Sequence, residues 1–162
     1  MSTLRVNTIQ DETGTTAMTI DTSGRILTPA RPCAHVSLTT DTVGSSTSGY
    51  PAIVFNVANL NIGGHYNTSN GKFTCPIAGI YQVTGYAMDK DSSAAGGFYL
   101  RVLLDGSNYG ADAGSYDAGG SHAGAHISAL IQCTAGQEIT LGYYSTSGAM
   151  SGYTGATFML VG

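Results

Sequence analysis

Glycine and proline interrupt this chain so often that an ordinary helix has almost nowhere to sit. The longest stretch free of both runs from Met1 to Thr13, and no later one exceeds 11 residues. A typical helix occupies about 11–12 uninterrupted positions. Glycine alone accounts for 23 of 162 residues; it supplies the positive φ of tight turns and costs a helix interior about 1 kcal/mol relative to alanine. The chain is therefore expected to be all-β. Alternation agrees. Val36 and Leu38; Ile53, Phe55 and Val57; Tyr81 and Val83; Phe98, Leu100, Val102 and Leu104; Ile127, Ala129, Ile131 and Cys133; Ile139, Leu141 and Tyr143; and Phe158 and Leu160 each mark one face of a strand. Turn-punctuated strands without helical segments between them predict a sandwich or jelly roll rather than a βαβ fold.

Charge narrows the functional classes. Six basic residues stand against ten acidic ones, for a net charge of −4, which disfavours binding to nucleic acid through a phosphate footprint. No apolar run approaches the ~20 residues of a membrane helix, and residues 1–21 contain no hydrophobic segment of a secretory signal, so neither membrane insertion nor secretion is expected. Cys33, Cys75 and Cys133 contain no CxxC spacing and are an odd number; they are read as buried free thiols.

Several strands carry apolar residues on both faces. Tyr99 and Leu103 oppose the Phe98 set, Tyr86 and Met88 oppose Val83, and Met159 and Val161 oppose Phe158. One sandwich core covers one face only, so the second faces predict burial against neighbouring subunits. Residues 1–32 form a separate piece: Leu4, Val6 and Ile9 suggest a short strand, and residues 17–20 and 25–27 flank the turn Asp21-Thr22-Ser23-Gly24 to make a hairpin. Such a piece has too little apolar material for a core of its own, so it is read as an arm that docks on something else. The expected organisation is an arm over 1–32 and a head over 33–162.

The spacing Phe55-x5-Asn61-x4-Tyr66-x6-Phe73-x5-Gly79-x-Tyr81 resembles the signature of the complement C1q globular-head family, a branch of the tumour-necrosis-factor-like jelly rolls. Gly71-Lys72-Phe73-Thr74-Cys75-Pro76 is similar to its Gly-x-Phe-x-x-Pro segment, Gly136-Gln137-Glu138-Ile139 to its Gly-Asp-x-Val turn, and residues 157–160 to its closing strand. Val83 and Gly85 stand where the family usually has aromatics, and Gln137 replaces an acid. The resemblance covers about 33–162. It implies a C1q/TNF-like jelly-roll β-sandwich assembled as a homotrimer, with the signature residues serving as core and turn positions.

The leader Ser2-Thr3-Leu4-Arg5-Val6-Asn7-Thr8-Ile9-Gln10, with Gly14 and residues 20–26, resembles the start of structural proteins of tailed phages, cyanophages especially. Joined to a C1q-like head, it implies a phage virion protein. In this reading a trimeric head sits on a tail fibre or other appendage. Its arm docks on other virion proteins, and its loops contact a host-surface glycan or protein. The alternatives are a capsid decoration or cement trimer with no recognition role, and a secreted C1q-like binding protein. Synthesis in the host cytoplasm and residence in the virion follow from the first reading.

Catalytic constellations are not expected: no GxSxG, P-loop or carboxylate pair beside a histidine occurs. His122 and His126 are four apart in a glycine-rich strand context, where that spacing does not place them on one helical face. Asp89 and Asp91 flank Lys90 at a strand end. The segment from Asp105 to Ala123 reads as the longest turn-rich loop and is placed at the end of the head opposite the termini. It combines Asp112 and Asp117 with Tyr109 and Tyr116, which makes these four the candidate binding residues. The family resemblance implies calcium as a candidate ligand of Asp112 and Asp117, with carboxylates supplying part of an oxygen shell.

Overall fold

The computed structural model describes residues 6–41, 49–88, 90, 96–117, 123–146 and 150–162, and every regular element among them is a strand. The chain divides into two compact units, Met1–Arg31 and Pro32–Gly162.

The first unit is a three-stranded antiparallel meander of β1 (Thr8–Gln10), β2 (Thr16–Ile20) and β3 (Ile26–Leu27). One turn chemistry makes both of its reversals. Asp11 Oδ1 accepts the N–H groups of Thr13 and Thr15, each at 2.9 Å, and Asp21 Oδ1 accepts those of Ser23 and Arg25, each at 2.9 Å. The repeated Asp-x-x-Gly thus builds two side-chain-closed turns. Ile9, Ile20, Ile26 and Leu27 stay exposed, because a sheet of this size has no second layer.

The second unit comprises β4 (Cys33–Ser37), β5 (Val57–Ile62), β6 (Tyr66–Asn67), β7 (Lys72–Thr74), β8 (Gly79–Met88), β9 (Gly96–Leu104), β10 (Ser107–Asp117), β11 (Gly124–Cys133), β12 (Glu138–Ser145) and β13 (Gly155–Leu160). They form two five-stranded antiparallel sheets, β10-β9-β12-β7-β6 and β11-β8-β13-β4-β5. This is the expected jelly-roll sandwich. Alternate residues of the two sheets, among them Val36, Tyr81, Val83, Phe98, Leu100, Ile131, Leu141 and Phe158, are buried between them.

The signature residues meet at one end of this core. Phe73 stacks on Phe158 with centroids 5.3 Å apart, Tyr66 lies 5.7 Å from Phe158, and Tyr81 meets Phe73 edge-on at 5.8 Å. Their polar atoms are satisfied: the Tyr81 hydroxyl donates to the Ile77 carbonyl at 2.9 Å, and the Tyr66 hydroxyl accepts from Phe55 N at 3.2 Å. Burial raises the Tyr66 phenol well above its ordinary range. Asn61 clamps the Tyr66 backbone, donating to its carbonyl at 2.9 Å and accepting from its N–H at 3.0 Å. The spacing is a recipe for one aromatic cluster and its hydrogen bonds. Gly79 acts differently from the expectation. Its φ is not positive; instead, a Cβ there would stand 2.7 Å from the Gly162 carbonyl oxygen, so glycine admits the last residue of the chain.

Within this unit, chain entry and exit share one end, here called the base: Leu160 N donates to the Pro32 carbonyl at 3.0 Å, and Ile80 N to that of Gly162. The three thiols are free; Cys75 and Cys133 are buried, and desolvation raises both.

The apolar second faces do not form one patch. Tyr86, Met88 and Met159 belong to the β11-β8-β13-β4-β5 sheet and Val161 follows directly after its β13, whereas Tyr99 and Leu103 lie on the opposite flank of the sandwich. Leu103 is already buried within the single chain. Its cover is the 50–53 segment, which runs beside β12 through the Ala52–Gly142 bridge.

Candidate functional site

The segment expected to be a distal loop is mostly a strand. Asp105 and Gly106 take φ of 49° and 76°, the positive-φ pair of a two-residue hairpin turn, and Asp-Gly is the residue pair that such a turn prefers. β10 then runs for 11 residues beside β9. The turn lies at the base and not at the far end. Its Asp105 carboxylate accepts Glu138 N at 2.9 Å and Gln137 Nε2 at 2.9 Å, contacts that hold it below the ordinary carboxylate range. Gln137 Oε1 meanwhile accepts Thr134 N at 2.8 Å. An amide satisfies both neighbours here, where a second carboxylate would repel Asp105; that accounts for the departure at Gln137.

The four nominated residues are spread along β10. Tyr109 sits near the base, in a bulge where residues 109–111 span the gap between the Asn108–Leu103 and Asp112–Arg101 pairs. Its hydroxyl accepts Gln132 N at 3.1 Å, which latches the edge of one sheet to the edge of the other. Tyr116, near the far end, is 72% exposed. Asp112 and Asp117 pair with Arg101 and Gly96 in continuous register, so their backbones stand about 17 Å apart along the strand. With calcium–oxygen distances of about 2.4 Å, one ion cannot take both carboxylates from a single chain. Asp89, Asp91 and His122 lie outside the described residues. His126 faces Tyr86, with ring centroids 5.9 Å apart.

Asp112 instead meets a cation. Its two oxygens take Arg101 Nε at 2.6 Å and Nη2 at 2.8 Å, a planar fork that lowers the carboxyl and raises the guanidinium from their ordinary values. The Arg101 Cζ lies 3.8 Å from the centroid of Tyr50. Tyr144 adjoins Tyr50 and Tyr99, each at 5.9 Å between centroids. Below Tyr50 a cleft of about 330 Å³ opens, lined among others by Leu103, Thr140, Lys72 and Glu138. This flank gathers aromatic faces, a fixed donor–acceptor pair and a recess, and sequence reasoning passed over Tyr50, Arg101 and Tyr144. The available signal was Asp105-Gly106: reading it as a hairpin turn would have folded β10 onto β9, although only the bulge at residues 109–111 shifts the register so that Asp112 faces Arg101 instead of Tyr99.

The sequence profile of the C1q domain matches residues 35–159. The chain belongs to the C1q domain family. Among solved structures, the globular domain of zebrafish complement 1qA aligns with 82% of this chain and 98% of its own, with a TM-score of 0.59 at 15% identity. Murine APRIL at pH 5.0 aligns with 81% of this chain and 99% of its own, with a TM-score of 0.60 at 12% identity. These neighbours share the fold of the C1q head described above. No curated protein matches the sequence. The C1q assignment accounts for the Phe55 to Tyr81 spacing as architecture and names no catalytic family.

Proposed function

We propose that this chain is the trimeric C1q head of a phage virion appendage, docked on the particle by its N-terminal arm and contacting the host surface. The observation that carries the reading is the pairing of a C1q head with a separate small unit that leaves Ile9, Ile20, Ile26 and Leu27 exposed. Four large apolar side chains on so small a sheet suit a docking element, since each gains about 1.5–3 kcal/mol on burial. The phage-like leader residues in the same unit suggest the particle as the docking partner.

Support for the trimer comes from the outward face of the β11-β8-β13-β4-β5 sheet. Ile80, Tyr86 and Leu130 are exposed there on two paired strands, and Met159 pairs beside them at Gln82. A second copy covering this face would remove these apolar side chains from water. The test compares the full chain with one lacking residues 1–31. Both should scatter light as trimers, and only the full chain should be incorporated into particles, where labelled antibody should find it at a tail or baseplate position. A monomer at micromolar concentration removes the trimer, incorporation without the arm removes the docking role, and a capsid lattice position favours cement over host contact.

A further inference from the structure

The flank formed by β10, β9 and β12 carries features that core packing does not use. We propose that it is a saccharide platform, on which Tyr99 and Tyr144 stack against a neutral pyranose while the Arg101–Asp112 pair, seated on Tyr50, hydrogen-bonds its hydroxyls. The proposal rests on reading the head as a recognition module, and it centres recognition on Tyr99 and Arg101 rather than on Tyr116 and Asp117 at the end of β10.

The first support is where the sequence spends glycine. A Cβ on Gly114 would stand 2.1 Å from the Tyr99 ring, one on Gly97 would stand 2.6 Å from it, and one on Gly142 would stand 3.0 Å from Tyr50 Cβ. Glycine inside a strand weakens the strand and marks close approach by something else. Here it lets Tyr99 lie down across β9 and β10, presenting a ring face to solvent instead of an edge. A flat aromatic face suits the apolar C–H face of a sugar ring.

The second support is the polar partner. The ion pair engages Arg101 through Nε and Nη2, which leaves Nη1 and further carboxylate lone pairs to a ligand. Tyr50 underneath fixes the guanidinium plane, so donor and acceptor are ordered before binding. Five positions of β9, from Tyr99 to Leu103, span about 13 Å, and the cleft continues the strip toward Lys72, Glu138 and Thr140. At 330 Å³ this recess lies at the low end of small-molecule sites, roughly 300–1,000 Å³. Charge selects among saccharides: Asp105, Asp112 and Glu138 outnumber Lys72 and Arg101 along the strip, which disfavours an anionic sugar.

The test applies the full chain to an array of neutral and sialylated oligosaccharides, followed by saturation-transfer NMR with maltose, cellobiose and lactose as probes. Neutral glycans should bind. Tyr99→Ala, Tyr144→Ala and Arg101→Lys should each weaken binding at least about tenfold, equivalent to about 1.4 kcal/mol. Tyr153→Ala, an exposed tyrosine outside these three strands, should not. Arg101→Lys retains the charge while losing the fork, so it remains informative if a tyrosine variant fails to fold. Absence of neutral glycan binding, binding confined to sialylated glycans, capture of a protein in place of a glycan, or indifference to all three flank variants would each overturn the proposal. Glycan binding by a chain that never enters particles would remove the virion reading and leave this one standing; incorporation without glycan binding would do the reverse.

Discussion

Asn61 offers the sharpest test of the claim that the C1q signature encodes architecture. Its amide closes both sides of the Tyr66 backbone, at 2.9 and 3.0 Å, and Tyr66 in turn stacks on Phe158 in the core. Asn61→Ala removes two hydrogen bonds worth about 0.5–1.5 kcal/mol each and strands a partly buried N–H and C=O, so the expected loss is about 2–4 kcal/mol. For a head of this size that corresponds to a fall in Tm of roughly 6–15 °C. Urea unfolding followed by circular dichroism, at fixed protein concentration, measures it. Asn61→Asp adds a pH signature. The carboxylate still accepts the Tyr66 N–H but faces the Tyr66 carbonyl, whereas the protonated acid can donate to it, so the folded pKa rises above the unfolded value of about 3.9. A raised folded pKa means that the stabilisation is complete below the unfolded pKa and is lost as pH rises through the folded one. Asn61→Asp should therefore gain on Asn61→Ala between pH 7 and pH 4. A loss under about 0.5 kcal/mol for Asn61→Ala, or a pH-independent difference between the variants, would refute the clamp.

Four further outcomes are expected. Tyr86→Asp and Leu130→Asp should dissociate the proposed trimer in light scattering while each chain stays folded. Leu103→Asp should unfold the chain itself, because Leu103 is covered by residues 50–53 without a partner and an unpaired buried charge costs several kcal/mol. Asp105, held below its ordinary value by Glu138 N and Gln137, contributes stability that is present above the unfolded pKa and lost as pH falls through the folded one. Asp105→Asn should flatten the acid limb of a pH–stability curve below about pH 4, and an unchanged limb would show that the base turn does not depend on this charge. Calcium should leave the Tm of the head unchanged, because Asp112 is committed to Arg101 and stands about 17 Å along the strand from Asp117; a rise abolished by Asp112→Ala with Asp117→Ala would show that ligands are pooled between chains.

Local chemistry settles a large share of this protein. Glycine and proline every few residues leave strands as the only regular structure, alternation marks which face each strand buries, and the Phe55 to Tyr81 spacing names the aromatic cluster. These are properties of one segment or of a short span, so they are legible along the chain. The arm hairpin was legible for the same reason, since its turns are closed by Asp11 and Asp21 from within.

Partnership across the sheets is another matter. Alternation shows that Tyr86 and Tyr99 both point away from a core, but only strand order places them on opposite flanks of the sandwich. Asp112 reads as a loop acid until the register of β10 on β9 sets it opposite Arg101. Tyr50 reaches that pair from a segment 51 positions earlier in the chain, because residues 50–53 run along β12. Gly97, Gly114 and Gly142 look like ordinary turn residues in a glycine-rich chain, and only the packed flank shows what their missing side chains admit. Side-chain period specifies a face; which groups share that face is decided by long-range pairing, whose register depends on the whole sheet.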